Sequence, residues 1–159
     1  MKYQRLSKEQ LEELHQEFIN FLATQSITAK EWGDIKKNSP QVAEEEIDIF
    51  SDLVWEGVLS KVSYLENFSK NQVHLFHIRP TDMHLIAIKI EDDTIDITTK
   101  EGYEWLQNNL LDDKVLFYNA SKPFSKDPSL DVFTLIQQGC TITKGDLYNY
   151  FQKVIPEPS

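Results

Sequence analysis

Two aspartates occur at the second and third of three predicted β-strands, where carboxylates can hold a divalent metal. Asp82 directly precedes the second strand, and Asp96 lies within the third. Two carboxylates on one metal ion, with a lysine that orients the attacking water, can drive hydrolysis of a phosphodiester. The residue two positions after Asp96 is Thr98 rather than lysine, and Lys100 falls in the helix predicted to follow. The pattern therefore indicates an incomplete catalytic site.

Histidines in the predicted first hairpin offer a second kind of site. His77 and His84 share a face of the hairpin if Arg79 pairs with His84, whereas His74 and His77 point to opposite faces. Two histidines beside an arginine at a strand end can bind a metal or an anion. Histidines in such places are more often simply hydrogen-bonded, so we predict no cofactor and leave metal binding by His77 and His84 open.

The most informative pattern lies on the third predicted helix, which runs from about Pro40 to Leu65. Acidic residues recur there at every fourth position: Glu44, Asp48, Asp52 and Glu56. Like charges at this spacing repel one another by a few tenths of a kcal/mol per pair. The opposite, inward face is predicted from the apolar periodicity to contain Phe50, Leu53, Val54, Gly57, Val58, Lys61 and Leu65.

Two large apolar residues, Trp55 and Leu59, lie beside the acidic residues and outside the predicted inward face. A charged rim around an aromatic anchor is typical of binding surfaces. We therefore predict a partner-binding surface made of Trp55, Leu59, Asp48, Asp52 and Glu56. Its partner would be a protein with a basic, partly apolar surface, or a second copy of the chain. The alternatives are a solvated acidic face, or a helix packed between the sheet and helix 1 that buries Trp55.

Composition narrows the class of protein. The chain has 159 residues, 16 basic and 26 acidic side chains, and a net charge of −10. This charge repels a phosphate backbone, so we predict no nucleic-acid binding. A single cysteine, Cys140, excludes an internal disulfide, and no segment approaches the roughly 20 apolar residues of a membrane span. With no signal-peptide pattern at the N-terminus, we predict a cytoplasmic location and no membrane contact.

Capping residues and apolar periodicity predict three helices in the first third of the chain. Ser7 and Gln10 form a capping box before a helix over residues 8–24. Thr28 and Glu31 open a second helix that ends near Lys37. The third helix begins at Ser39-Pro40, and these three helices form the helical part over residues 1–66.

β-forming residues dominate after Asn67. Three strands are predicted over Val73–Arg79, Met83–Ile90 and Thr94–Thr98, with Asp92-Asp93 as the hairpin loop between the last two. This register places five isoleucines on one buried face: Ile86, Ile88, Ile90, Ile95 and Ile97. The later elements are a helix capped by Thr98, a strand over Val115–Tyr118, a loop over Asn119–Pro128, a helix over Leu130–Gln138, and a last helix capped by Thr143.

The predicted fold is α+β, with N-terminal helices packed on a three-stranded antiparallel meander plus one further strand. The order is α-α-α-β-β-β-α-β-α-α, in a single domain over residues 1–155 with a flexible tail over 156–159. The helix, three strands, helix, strand order resembles the core of PD-(D/E)xK nucleases. We predict a non-enzymatic protein-binding (adaptor or accessory) protein, with a divergent, inactive nuclease-like fold as the alternative.

Two blocks of sequence carry a family resemblance. The opening Lys2-Tyr3-Gln4-Arg5-Leu6-Ser7-Lys8-Glu9-Gln10-Leu11 and the block over residues 50–59 resemble a family of small bacterial proteins of unknown function. The similarity covers most of the chain. It implies a cytoplasmic bacterial protein and brings no activity, cofactor or catalytic residue.

Overall fold

A computed structural model describes residues 1–155 and confirms the α+β class. By its internal contacts the chain divides into two compact units, Met1–Ser60 and Lys61–Ser159. The first unit is helical, and the described part of the second carries a five-stranded antiparallel sheet with three helices. The predicted tail over residues 156–159 lies outside the described residues.

The helical unit contains α1 (Lys8–Glu13), α2 (His15–Thr24), α3 (Ala29–Asn38) and α4 (Pro40–Leu59). The predicted capping box is confirmed, because the Ser7 side chain accepts from the Gln10 backbone N–H and Gln10 reaches back to Ser7. Thr28 caps α3 as predicted. The single helix expected over residues 8–24 is wrong, because the backbone leaves helical geometry at Leu14 and divides it into α1 and α2.

Helix α4 ends at Leu59, about six residues before its predicted end, and its buried side agrees only in part with the predicted inward face. Phe50 is 4% exposed, as predicted, and packs edge-on against the ring of Phe18 and at a tilt against that of Phe21. Leu59 is 3% exposed, whereas Leu53 is 56% exposed. Apolar residues surround α4 on nearly every side, so periodicity alone did not identify which ones pack inward.

The second unit contains β1 (Tyr64–Phe68), β2 (Gln72–Ile78), β3 (Asp82–Ile90), α5 (Lys100–Asn108), β4 (Val115–Pro123), α6 (Pro128–Gln137), β5 (Thr141–Thr143) and α7 (Asp146–Val154). The strand order is β4-β3-β2-β1-β5, and every neighbouring pair is antiparallel. The short strands β1 and β5 were not predicted. Strand β4 extends through the first part of the loop expected over Asn119–Pro128.

The strand predicted over Thr94–Thr98 is wrong. The carboxylate of Asp92 accepts from the Thr94 backbone N–H at 2.9 Å, and Asp96 does the same for Thr98 at 2.9 Å. These two local turns replace the expected strand, as aspartate side chains often do. Ile90 therefore pairs with Val115 of β4 and not with Ile95.

The predicted isoleucine core is confirmed although the strand pairing behind it is wrong. Ile86, Ile88, Ile90 and Ile97 are each at most 2% exposed, and Ile95 packs against the same cluster. Leucine, valine and aromatic side chains from β2, β4, α5 and α7 complete this core. The apolar alternation of β3 identified the buried face correctly because alternation depends on the strand itself and not on its neighbour.

Helix starts in the second unit are shifted from their predicted caps. Thr99, and not Thr98, caps α5 by accepting from the Gly102 backbone N–H at 3.1 Å. Gly145, with a positive φ of 85°, is the N-cap of α7, and Thr143 accepts a hydrogen bond from its backbone N–H. Gly139 follows α6 with a φ of 105°, in keeping with the predicted glycine stop.

Candidate functional site

The acidic side of α4 binds the residues that precede α1. We call residues 2–6 the N-terminal segment and the α4 residues that contact it the α4 strip: Glu44, Asp48, Ser51, Asp52, Trp55 and Glu56. All of these residues belong to the helical unit. The strip thus forms a continuous contact between one helix and an extended piece of the same chain.

Asp52 and Glu56 hold the beginning of the segment. The two carboxylate oxygens of Asp52 accept from consecutive backbone N–H groups, Lys2 at 2.7 Å and Tyr3 at 2.9 Å. Glu56 accepts from the Lys2 Nζ at 2.8 Å and from the Tyr3 hydroxyl at 2.6 Å. Desolvation first, and then the bond to Glu56, raise the pKa of Tyr3. Both backbone and side chains of the segment are therefore recognised.

Arg5 joins two carboxylates one helical turn apart. Its Nε donates to Asp48 at 2.7 Å, and its Nη1 donates to Glu44. The bond from Arg5 lowers the pKa of Asp48, because the guanidinium favours the ionised carboxylate. The arginine also removes the repulsion expected between Glu44 and Asp48 when they face water alone.

The middle and end of the segment are held by neutral groups. The Trp55 indole Nε1 donates to the Gln4 carbonyl oxygen at 2.9 Å. The Leu6 backbone N–H donates to Oγ of Ser51 at 3.1 Å. Leu6 is 6% exposed and Ser51 fully buried, so the segment ends in an apolar anchor. Every residue from the second to the sixth is contacted by the strip.

Four of the five predicted partner-binding residues lie in this strip. Asp48, Asp52, Trp55 and Glu56 contact the N-terminal segment, which is basic and carries a tyrosine. Leu59 is buried and has no surface to offer a partner. Ser51 and the N-terminal segment are not among the residues predicted from the sequence, although the cations of Lys2 and Arg5 are complementary in charge to the acidic face.

A second polar cluster lies on the core face of the sheet, near the β2–β3 turn. His77 stands directly opposite His84, so the two share a face as predicted, but the expected pairing of Arg79 with His84 is wrong. The Tyr148 hydroxyl hydrogen-bonds Nδ1 of His84, whose Nε2 lies 3.4 Å from Oδ1 of Asn119. Both ring nitrogens of His84 therefore face a neighbouring polar side chain.

His77 and Arg79 complete the second cluster. The His77 ring stacks on Tyr64 at 4.6 Å, and burial, with a smaller effect of Arg79, lowers the pKa of His77. Arg79 is bonded through Nε and Nη2 to Asp82, at 2.7 Å each, and through Nη2 to Ser121 at 3.0 Å. The guanidinium is therefore engaged by a carboxylate already, which leaves little positive field for an anion.

The two aspartates of the nuclease-like alternative lie at opposite ends of the sheet. Asp82 begins β3, whereas Asp96 follows the other end of that strand, where the Ile97 N–H bonds the Lys70 carbonyl. Nine strand residues separate the ends by about 26 Å at roughly 3.3 Å per residue. Asp82 pairs with Arg79 and Asp96 caps its own turn, so the two carboxylates do not converge on one metal.

We expect the purified protein to show no magnesium- or manganese-dependent cleavage of DNA or RNA, because two carboxylates this far apart cannot share one metal. Plasmid nicking and release of fluorescence from a labelled RNA measure this. Cleavage that disappears in Asp82→Asn or Asp96→Asn would show that these carboxylates are catalytic after all.

The remaining chemical candidates give no further site among the described residues. Cys140 is buried, and burial raises its pKa, which disfavours the reactive thiolate. Within residues 1–155 no three histidine, cysteine, aspartate or glutamate side chains are grouped to hold a metal ion. Over the same residues, no helix is both long enough and apolar enough to cross a bilayer.

Fold and site together define a small α+β protein whose helical unit binds its own N-terminal segment along α4. Residues 1–156 match a family of unknown function, DUF6495, and the chain belongs to that family. The resemblance to an uncharacterised family expected from the sequence is thus confirmed. No curated protein and no solved structure matches the chain.

Proposed function

We propose that this protein is a non-enzymatic, cytoplasmic protein-binding (adaptor or accessory) protein that recognises a basic, extended segment of a partner along the α4 strip. One observation carries the proposal. The strip makes hydrogen bonds to every residue from Lys2 to Leu6, through backbone groups at four of them and charged or polar side chains at three. Such a surface has the chemistry of a peptide-recognition site.

The strip sets a chemical requirement at each position. Asp52 binds two successive backbone N–H groups and accepts any non-proline residue there. Glu56 favours a cation followed directly by a hydroxyl-bearing ring, as in Lys2-Tyr3. The Glu44–Asp48 pair favours an arginine three positions after that cation, where Arg5 lies. The partner segment is therefore basic, then aromatic, then arginine-bearing, and ends in an aliphatic residue.

The segment is held in a way that allows exchange. The Lys2 side chain is 40% exposed in its ion pair, and that of Arg5 is 39% exposed. Exposed ion pairs contribute between zero and about 1 kcal/mol each, and salt weakens them further. A partner segment of the same chemistry replaces the exposed contacts of Lys2 and Arg5 at a modest energetic cost, and its aliphatic residue must fill the buried site of Leu6.

The test is a titration of a fluorescein-labelled peptide with the sequence of residues 1–7 against the full chain. In a released variant, Lys2→Glu with Arg5→Glu, the internal segment is repelled by the strip. We expect this variant to bind the peptide at least about tenfold more tightly than the wild type, because the internal competitor is gone. Fluorescence anisotropy at low and high salt measures the affinity, which salt should reduce.

Matched variants separate recognition from general charge. Lys30→Glu with Lys37→Glu changes the net charge by the same amount on α3, away from the strip, and should bind the peptide like the wild type. Adding Asp48→Asn and Glu56→Gln to the released variant should abolish the gain. Equal affinities in the wild type, in the released variant, and in the released variant that also carries Asp48→Asn and Glu56→Gln would refute the α4 strip as a recognition site.

A further inference from the structure

A groove in the helical unit, which shares no lining residue with the α4 strip, has the properties of a small-molecule site. Its volume is about 480 Å³, inside the range of roughly 300–1,000 Å³ usual for ligand pockets. Helices α1, α2 and α3 form its walls. Its lining is mainly aliphatic and aromatic, and the largest of these side chains are Leu11, Phe18, Leu22, Ile27, Trp32 and Ile47.

The groove is elongated. Its residues on α1 and α2 recur every three or four positions from Lys8 to Leu22, so they follow one side of both helices. The lining extends over both helices, from Lys8 of α1 to Leu22 of α2. Helix α3 contributes Ala29, Trp32 and Lys36. A long, narrow apolar space favours a linear hydrocarbon chain over a compact ring system.

Cations lie at the rim of the groove in a chain that is otherwise acidic. Lys8 and Lys36 line it, against one carboxylate, Glu12. The Lys36 Nζ lies 6.0 Å from the centroid of the Trp32 ring, which also lines the groove. Because the whole chain carries −10, this local excess of positive charge is complementary to an anionic head group.

We propose that the groove binds a linear aliphatic monocarboxylate, with its chain along Phe18, Leu22 and Trp32 and its carboxylate near Lys8 and Lys36. Burial of the chain supplies the affinity, in proportion to the number of methylene groups removed from water. This site is separate from the α4 strip, and it does not depend on the proposed protein-binding function.

A peptide helix is a less suitable occupant. A helix of about fourteen residues, treated as a cylinder about 10 Å in diameter and 21 Å long, has a volume of about 1,600 Å³. A groove of 480 Å³ would leave most of such a helix outside. An alkyl chain whose carbons contact their neighbours at about 4 Å is narrow enough to lie within it.

The test uses isothermal titration calorimetry of the full-length protein with dodecanoate below its micellar concentration. Methyl dodecanoate has the same chain without the charge, and butanoate has the charge with little chain. We expect dodecanoate to bind at least about tenfold more tightly than either. Equal affinity for the acid and its methyl ester, or no saturable binding of dodecanoate, would overturn the proposal.

Variants locate the binding in the groove. The variant Ala29→Trp places a ring in the groove. The double variant Lys8→Met with Lys36→Met removes the two cations while keeping most of their apolar side-chain length. Both variants should weaken dodecanoate binding at least about tenfold. The matched controls are Ala23→Trp and Lys30→Met with Lys37→Met, which lie outside the groove and should leave the affinity unchanged.

Circular dichroism checks that each variant is folded. Wild-type affinity in both groove variants would overturn the site.

Discussion

Replacing Ile88 by alanine is expected to lower the free energy of unfolding by about 2–5 kcal/mol, the usual cost of truncating a buried aliphatic side chain. Ile88 is fully buried in β3, which has β2 on one side and β4 on the other. The truncation removes apolar contacts from both neighbours, and the backbone of a central strand cannot move to fill the space. A reversible urea titration followed by circular dichroism measures the loss.

The control for Ile88→Ala is the same substitution at Ile142. That isoleucine lies in the edge strand β5 of the same sheet and is 46% exposed. Its truncation should cost well under half as much, because less apolar surface is returned to water. A loss below about 0.5 kcal/mol for Ile88→Ala would show that the core is not where this structure puts it.

Gly102→Ala is expected to destabilise the fold even though alanine is the better helix former. A Cβ atom at Gly102 would stand 1.8 Å from the carbonyl oxygen of Asp96, which is backbone and cannot rotate away. Overpacking of this kind costs about 1–3 kcal/mol or more. The gain in helix propensity is only about 1 kcal/mol, so the clash decides the sign.

Gly57→Ala is the matched control for this effect. Gly57 also lies within a helix, α4, but nothing lies within 4 Å of the position a Cβ would take. This variant should therefore be more stable than the wild type by about 0.5–1 kcal/mol. Thermal unfolding of both variants is the measurement. Stabilisation by Gly102→Ala would contradict the close approach of α5 to the turn at Asp96.

The isoleucine core and the first helix caps could be predicted because each depends on a few neighbouring residues. Alternation along β3 identifies its buried face whichever strands lie beside it. The cap of α1 is a hydrogen bond between Ser7 and Gln10, which are only three residues apart in the sequence. The turns at Asp92 and Asp96 were harder to predict. Their threonines and isoleucines have the composition of a strand, while one carboxylate in each turn holds the backbone in another conformation.

The short strands β1 and β5 could not be predicted from local pattern. Thr141–Thr143 is too short to show alternation, and it is a strand only because β1 lies beside it. Tyr64–Phe68 contains Glu66 and Asn67, which are uncommon in strands, and its first two residues fall within the helix predicted to end near Leu65. In both, the long-range partner decides the conformation.

The acidic strip of α4 was visible in the sequence, but its occupant was not. Asp52 and Lys2 are 50 residues apart, and no periodic pattern connects them. The sequence also predicts Leu59 in the partner-binding surface, because it lies beside the acidic residues and outside the predicted inward face, yet Leu59 is buried. A helix with apolar residues on most sides gives no local signal for the side that packs inward.

The most direct test of the α4 strip is the indole N–H resonance of Trp55 in the released variant, observed in a nitrogen–proton correlation spectrum. In the wild type this group donates to the Gln4 carbonyl. We expect the resonance to be displaced in the released variant and to return to its wild-type position when the peptide of residues 1–7 is added, while the indoles of Trp32 and Trp105 stay unchanged. A Trp55 resonance that does not move at saturating peptide would contradict recognition of a basic segment by the α4 strip.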